Sequence, residues 1–165
     1  MTEEASDDTP TVLIVGAGEV STALQAIAAV LGWVPLVVNT VEDAHSALGR
    51  SDAVVVLSHH DGVDGPVITA ALAHGTPYVA AMGSRRTQQR RRQWMTDHGV
   101  STALMDSVHG PAGLDIGADT PAEIALSIAA EVVASRRGVT GGSLTGRPGP
   151  IHPDLPPGAA NCPAG

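Results

Sequence analysis

Apolar residues along this chain follow two alternating patterns. Val12 to Val15, Val34 to Val38, Ala53 to Leu57 and Pro77 to Met82 are short, nearly unbroken apolar runs, as expected of strands buried on both faces. Between them, apolar positions recur at three- and four-residue steps. Val20, Ala23, Leu24, Ile27, Ala28 and Leu31 predict a helix closed by Gly32, and Val41 to Leu48 a shorter one opened by Thr40 and ended by Gly49. Val67, Ile68, Ala71 and Leu72 predict a third, with Pro66 as a first helical residue and Gly75 closing it. The Gly83-Ser84 turn leads into a helix running to about His98, and Ala103 to Val108 predicts a last strand. Thr120-Pro121-Ala122-Glu123 is a capping box opening a final helix, with Ile124, Ile128, Val132 and Val133 inward and Arg136-Arg137-Gly138 at its end.

Strands alternating with helices predict an α/β fold: a parallel sheet of about five strands flanked by helices, with right-handed crossovers. Residues 1–10 are acidic and residues 139–165 rich in Gly and Pro, so both are expected to be disordered tails around one domain at 11–138. Phe is absent and aromatics make up 2% of the 165 residues, so the core is expected to be Val, Leu, Ile and Ala, with few platforms for stacking a base. The net charge of -8 argues against nucleic acid and anionic membrane as partners. The opening MTEEASDD has no apolar signal core and no apolar run approaches membrane-spanning length, so a cytoplasmic location is expected. The single cysteine, Cys162, precludes an internal disulfide and lies in the tail, far in sequence from any activating His or acid.

In such sheets ligands bind beyond the carboxyl ends of the strands, which selects the loops at Gly16 to Glu19, Asn39-Thr40, Ser58 to Asp61, Gly83 to Arg86 and His109 to Thr120. Gly16-Ala17-Gly18-Glu19-Val20 joins strand to helix as a Rossmann-like phosphate turn does: Gly16 for the sharp turn, Gly18 for close approach of a phosphate to free helix N–H groups. Asn39 stands about twenty residues on, where a dinucleotide site usually has an acid for the ribose hydroxyl. An amide there leaves NAD and NADP both open. Arg85 and Arg86 open a helix, where positive charge is disfavoured; an anionic ligand clamped with Ser84 and the Gly83 backbone would compensate. Arg90, Arg91 and Arg92 read as a solvated face. Ser58 and His59 lie at a strand's carboxyl end, and His59 could donate a hydrogen bond or a proton. Adjacent His59 and His60 point in different directions, so no metal site is expected. Gly113 and Asp115 belong to a glycine-bounded segment in which Asp115 could hydrogen-bond a ligand or its own backbone.

The runs GAGEVSTAL, DAVVVLSHHDGVDGPVITAAL, YVAAMGSRRT and GLDIGADTPAEIALSIAAEVVASRRG closely resemble the C-terminal Rossmann domain of the XdhC/CoxI family, accessory proteins of xanthine dehydrogenase and related molybdenum hydroxylases. The resemblance covers about residues 11 to 138. It implies a non-catalytic maturation role: binding a nucleotide or the molybdenum cofactor and docking to the client enzyme. Gly16, Gly18, His59, Gly83, Ser84, Arg85, Arg86, Gly113, Asp115 and Gly117 match the family's motifs. The family's N-terminal domain has no counterpart here, so a separate chain carrying it is an expected partner, as is a second copy in a homodimer. The segment from Asn39 to Asp52 is shorter than in the family, and Glu19, Ser21 and Asn39 replace its usual His, Gly and acid. The alternative is a small NAD(P)-dependent oxidoreductase or nucleotide-sensing module, against which stands the lack of a separate substrate domain.

Overall fold

The computed structural model describes residues 9–151. The elements alternate as β1 (Thr11–Val15), α1 (Glu19–Val30), β2 (Val34–Val38), α2 (Val41–Leu48), β3 (Ala53–Val56), α3 (Asp61–His74), β4 (Tyr78–Ala81), α4 (Arg85–Asp97), α5 (Thr102–Asp106) and α6 (Pro121–Arg136), followed by a single 3-10 turn at Leu144–Gly146. All pairings are parallel and the order is β2-β1-β3-β4. The fold is therefore the expected Rossmann-like α/β sheet, with four strands. Residues 1–8 and 152–165, including Cys162 and most of the two expected tails, lie outside the described residues.

The strand predicted at 103–108 is instead α5. Ala103, Leu104 and Met105 are good helix formers, Ser101 caps them by accepting the Leu104 N–H, and only Met105 is buried. No two-sided apolar run is left to extend the sheet, and the chain reaches it only at His109, a one-residue bridge beside Ala80. α3 also begins earlier than predicted, at Asp61, with Pro66 inside the helix. The added turn is closed by the Val63 and Asp64 N–H groups on the His60 carbonyl. Pro66 then forfeits only the bond to the Gly62 carbonyl.

Residue alternation divides the core in two. Leu13, Val15, Val54, Val56 and Val79 face α2, α3, α4 and α5, while Val12, Ile14, Val55, Tyr78 and Ala80 face α1 and α6. Both faces are thus covered, which is why β1 and β3 read as continuous apolar runs. α1 lies on one side and α2 and α3 on the other, so the winding reverses between β1 and β3, the place where such sheets open a crevice. β2 is an edge strand. Its Val34 N–H goes to the Pro10 carbonyl and its Val38 carbonyl accepts the Gly16 N–H, so Val34, Leu36 and Val38 direct their backbone groups at β1. Pro35 and Val37 face the free edge, and Pro35 has no N–H to offer an incoming strand. Among the described residues no helix is long and apolar enough to cross a membrane.

Candidate functional site

Because the strands run parallel, the loops after β1, β3 and β4 emerge side by side on one rim, with β1 and β4 about 10 Å apart across β3. The two glycines of the first turn have different tasks. At Gly16, with φ +111°, a Cβ would lie 2.7 Å from the Ser58 nitrogen and 3.0 Å from its Cα. Gly16 therefore exists for backbone contact between the β1 and β3 loops. Gly18, with φ +146°, caps α1, and a Cβ there would meet nothing within 4 Å. No side chain caps this helix end, so its first N–H groups stay available. Ala17 and Glu19 are exposed and Val20 is half-buried. A groove of about 660 Å³ runs from Gly18 and Glu19 between α1 and the start of α6 at Thr120 and Pro121. Ser21, at the third glycine position of the motif, is buried with no hydrogen bond to its hydroxyl.

The β3 loop is held by a buried network that spacing did not reveal. Ser58 donates from Oγ to Asp64 Oδ1 at 2.6 Å and accepts the His60 N–H at 3.1 Å. Arg91 donates to Asp64 Oδ2, to the Ser58 carbonyl at 3.0 Å and to the Met82 carbonyl at 2.6 Å. The β3 loop, α3 and the end of β4 are thereby tied together. Arg91 is thus no part of a solvated face. Arg90 and Arg92 are, in exposed pairs with Asp61 and Asp106. Ser58 is accordingly a structural node, whereas His59 is exposed on the rim.

At the β4 corner Gly83 has φ +134°, and a Cβ there would press on Thr87 at 3.1 Å and on Arg91 Nη1 at 3.3 Å. The Ser84 hydroxyl caps α4 by accepting the Thr87 N–H at 3.2 Å. Arg85 and Arg86 follow, both exposed, with no acidic residue in the first turn of α4. Among the described residues neither has an ion-pair partner. This corner and the Gly18 turn share the rim, but the groove at Gly18 is not lined by the arginines.

The remaining predicted residues divide. Asn39 is exposed beyond β2 and Asp115 is exposed in the 109–120 segment. Gly113 instead packs on α6: its N–H reaches Glu131 Oε2 at 2.8 Å, and a Cβ would collide with the Ser127 hydroxyl. Glu131 also accepts the Tyr78 hydroxyl at 2.6 Å and lies 3.0 Å from His109 Nδ1. Burial, reinforced by the bond to Glu131 and that carboxylate's charge, raises the Tyr78 pKa far above its ordinary value. None of these three residues was singled out from the sequence; the signal available was a lone tyrosine opening an apolar run. No group of three or more metal-ligating side chains gathers among the described residues.

Residues 12–132 match the family model of the XdhC Rossmann domain. The chain belongs to this family. Among curated relatives, the uncharacterized protein YqeB of Escherichia coli (strain K12) is 26% identical, covering 87% of this chain and 30% of that protein. A protein of Bacillus subtilis (strain 168) named as a probable xanthine dehydrogenase subunit is 33% identical over 53% of this chain and 24% of its own length. A crystal structure titled as a xanthine dehydrogenase from Bacillus halodurans superposes with a TM-score of 0.63 at 21% identity, over 79% of this chain and 43% of that one. At that identity the superposition speaks for the fold. The XdhC domain here thus spans less than half of each of these relatives, and its membership associates it with xanthine dehydrogenase accessory proteins.

Proposed function

We propose that this chain is the ligand-binding and docking domain of a maturation factor for a molybdenum hydroxylase of the xanthine or carbon monoxide dehydrogenase type. The observation that carries the reading is Arg85 and Arg86. Two guanidinium groups stand at the positive end of α4 with no acid beside them, an arrangement each of them makes less stable, on the same rim of the sheet as the open, uncapped turn at Gly18. Both features suit a phosphate-bearing ligand.

The groups proposed are NAD or NADP and the molybdenum cofactor, and the residues present fit the phosphate that all of them carry. Arg85 and Arg86 would hold it, with the Gly18 turn and His59 beside the rest of the molecule and Asn39 within the β2 end where a ribose would lie. Glu19 at the first turn of α1 repels an anion placed squarely on that helix, so the arginine corner is the stronger anchor. The molybdenum cofactor, when bound, supplies redox chemistry for the client enzyme to use. This chain's residues bind and orient it. The proposed setting is the cytoplasm, with a client hydroxylase and a polypeptide equivalent to the rest of the longer relatives as partners. Co-purification of the tagged chain with a molybdenum hydroxylase, and saturable binding of ADP, NAD+ or NADP+ in calorimetric titration, test the two halves of the reading separately.

A further inference from the structure

α1 and α6 lie side by side on one face of the sheet with their N-terminal ends together at the groove beside Gly18, so the two helices run in the same direction. Their outward faces are almost free of charge. On α1 the outward stripe is Glu19, Thr22, Ala23, Ala26 and Val30, with Val30 88% exposed; on α6 it is Ala122, Leu126, Ala130 and Val133, with Leu126 51% exposed. A helix that faces water normally carries its charged residues on that side, and contiguous exposed apolar surface marks a place of association. Leu31 and Val34, also exposed, extend the patch past the end of α1.

What charge there is sits at the two ends. Glu19 and Glu123 stand in the first turns of α1 and α6, and Arg137 caps the far end of α6. A two-fold axis through the middle of the face sets the acidic end of one copy against the basic end of the other, so the surface is complementary to itself in the way a symmetric dimer requires. At 1.5 Å per residue α1 is about 18 Å long and α6 about 24 Å, enough for an interface on the order of 1,200 Å² in total, the lower bound of stable specific ones. We infer that the α1/α6 face binds a second copy of this chain, forming a four-helix, two-fold interface. The arginine corner belongs to α4 on the opposite side of the sheet, so the inference does not rest on that anchor and shares only the Gly18–Glu19 end of the groove with the ligand reading.

Sedimentation equilibrium of the full chain tests it. The wild type is expected at twice its 16.7 kDa mass at micromolar concentration, and the V30E/L126E variant, altered only at exposed positions, as a monomer with an unchanged circular dichroism spectrum. The swaps E19R and R137E are each expected to weaken the dimer at least tenfold, and the E19R/R137E double variant to restore most of that loss. A wild type that is monomeric throughout, a dimer indifferent to V30E/L126E, or single swaps that the double variant does not rescue would overturn the inference.

Discussion

Arg91 bonds one carboxylate oxygen of Asp64 twice, at 2.6 and 3.0 Å, and the two side chains are 3% and 1% exposed. With the Ser58 and Met82 carbonyls on two further guanidinium N–H groups, the pair joins the loops that follow β3 and β4. Removing either partner leaves a charge buried without its counter-ion. Asp64→Asn and Arg91→Met are each expected to lower stability by about 3–5 kcal/mol, and the double replacement by clearly less than the sum. Urea denaturation of the three variants reads this directly, and additive losses would contradict the pairing.

The two glycines of the first turn are expected to separate stability from binding. Gly16→Ala forces a Cβ against the Ser58 backbone and should cost about 1–3 kcal/mol, seen as a lower melting temperature. Gly18→Ala meets open space and suffers only backbone strain, about 1 kcal/mol, while Gly18→Val should reduce affinity for a nucleotide at a somewhat larger cost in backbone strain than Gly18→Ala. Equal melting temperatures for Gly16→Ala and wild type would contradict the close contact.

Tyr78 is the only tyrosine in the chain, so its ionisation can be followed without interference by ultraviolet absorbance. Its pKa in the folded protein is raised by burial and by Glu131, so the folded state holds the phenol proton more tightly than the unfolded chain. The stability this confers is complete below about pH 10, the ordinary value, and is lost as pH rises above it. Tyrosinate should therefore appear only together with unfolding. Tyr78→Phe should flatten the alkaline fall in stability, and a tyrosinate signal near pH 10 in folded protein would contradict the burial.

β1, β3 and β4 were legible because each is covered on both faces and therefore shows as an unbroken apolar run; β2, half-buried at the edge of the sheet, was legible from its short apolar, β-branched run between Gly32 and Asn39. α5 was not, since Ala103, Leu104 and Met105 carry no periodicity over so short a stretch and only local capping by Ser101 decides their state. The start of α3 hid for a different reason. Pro66 signals a helix start locally, but Asp64, fixed by Ser58 and Arg91 from elsewhere in the chain, sustains a turn before it. Arg91 itself was concealed among its neighbours Arg90 and Arg92. The one clue was its place on the same helical face as Gln88 and Met95, the side α4 turns inward. At the site, the positive-φ glycines and the α4 arginines were readable from sequence, while the division of labour between Gly16 and Gly18 required the Ser58 backbone to be seen against Gly16.

Reversing the charge at the α4 corner should move stability and binding in opposite directions. Arg85→Glu and Arg86→Glu place carboxylates where the helix end favours them, and each is expected to stabilise the fold by about 0.3–1 kcal/mol. A gain in melting temperature with R85E/R86E also shows that any loss of binding is not a loss of folding.

The central claim, that these arginines anchor a phosphate-bearing ligand, is tested most directly by calorimetric titration of ADP into the wild type and into R85E/R86E. Saturable binding by the wild type, weakened at least about thirtyfold in the variant as expected for lost charge-assisted bonds, is the predicted result. Equal affinity in the two proteins, or no binding of ADP by the wild type, would contradict it.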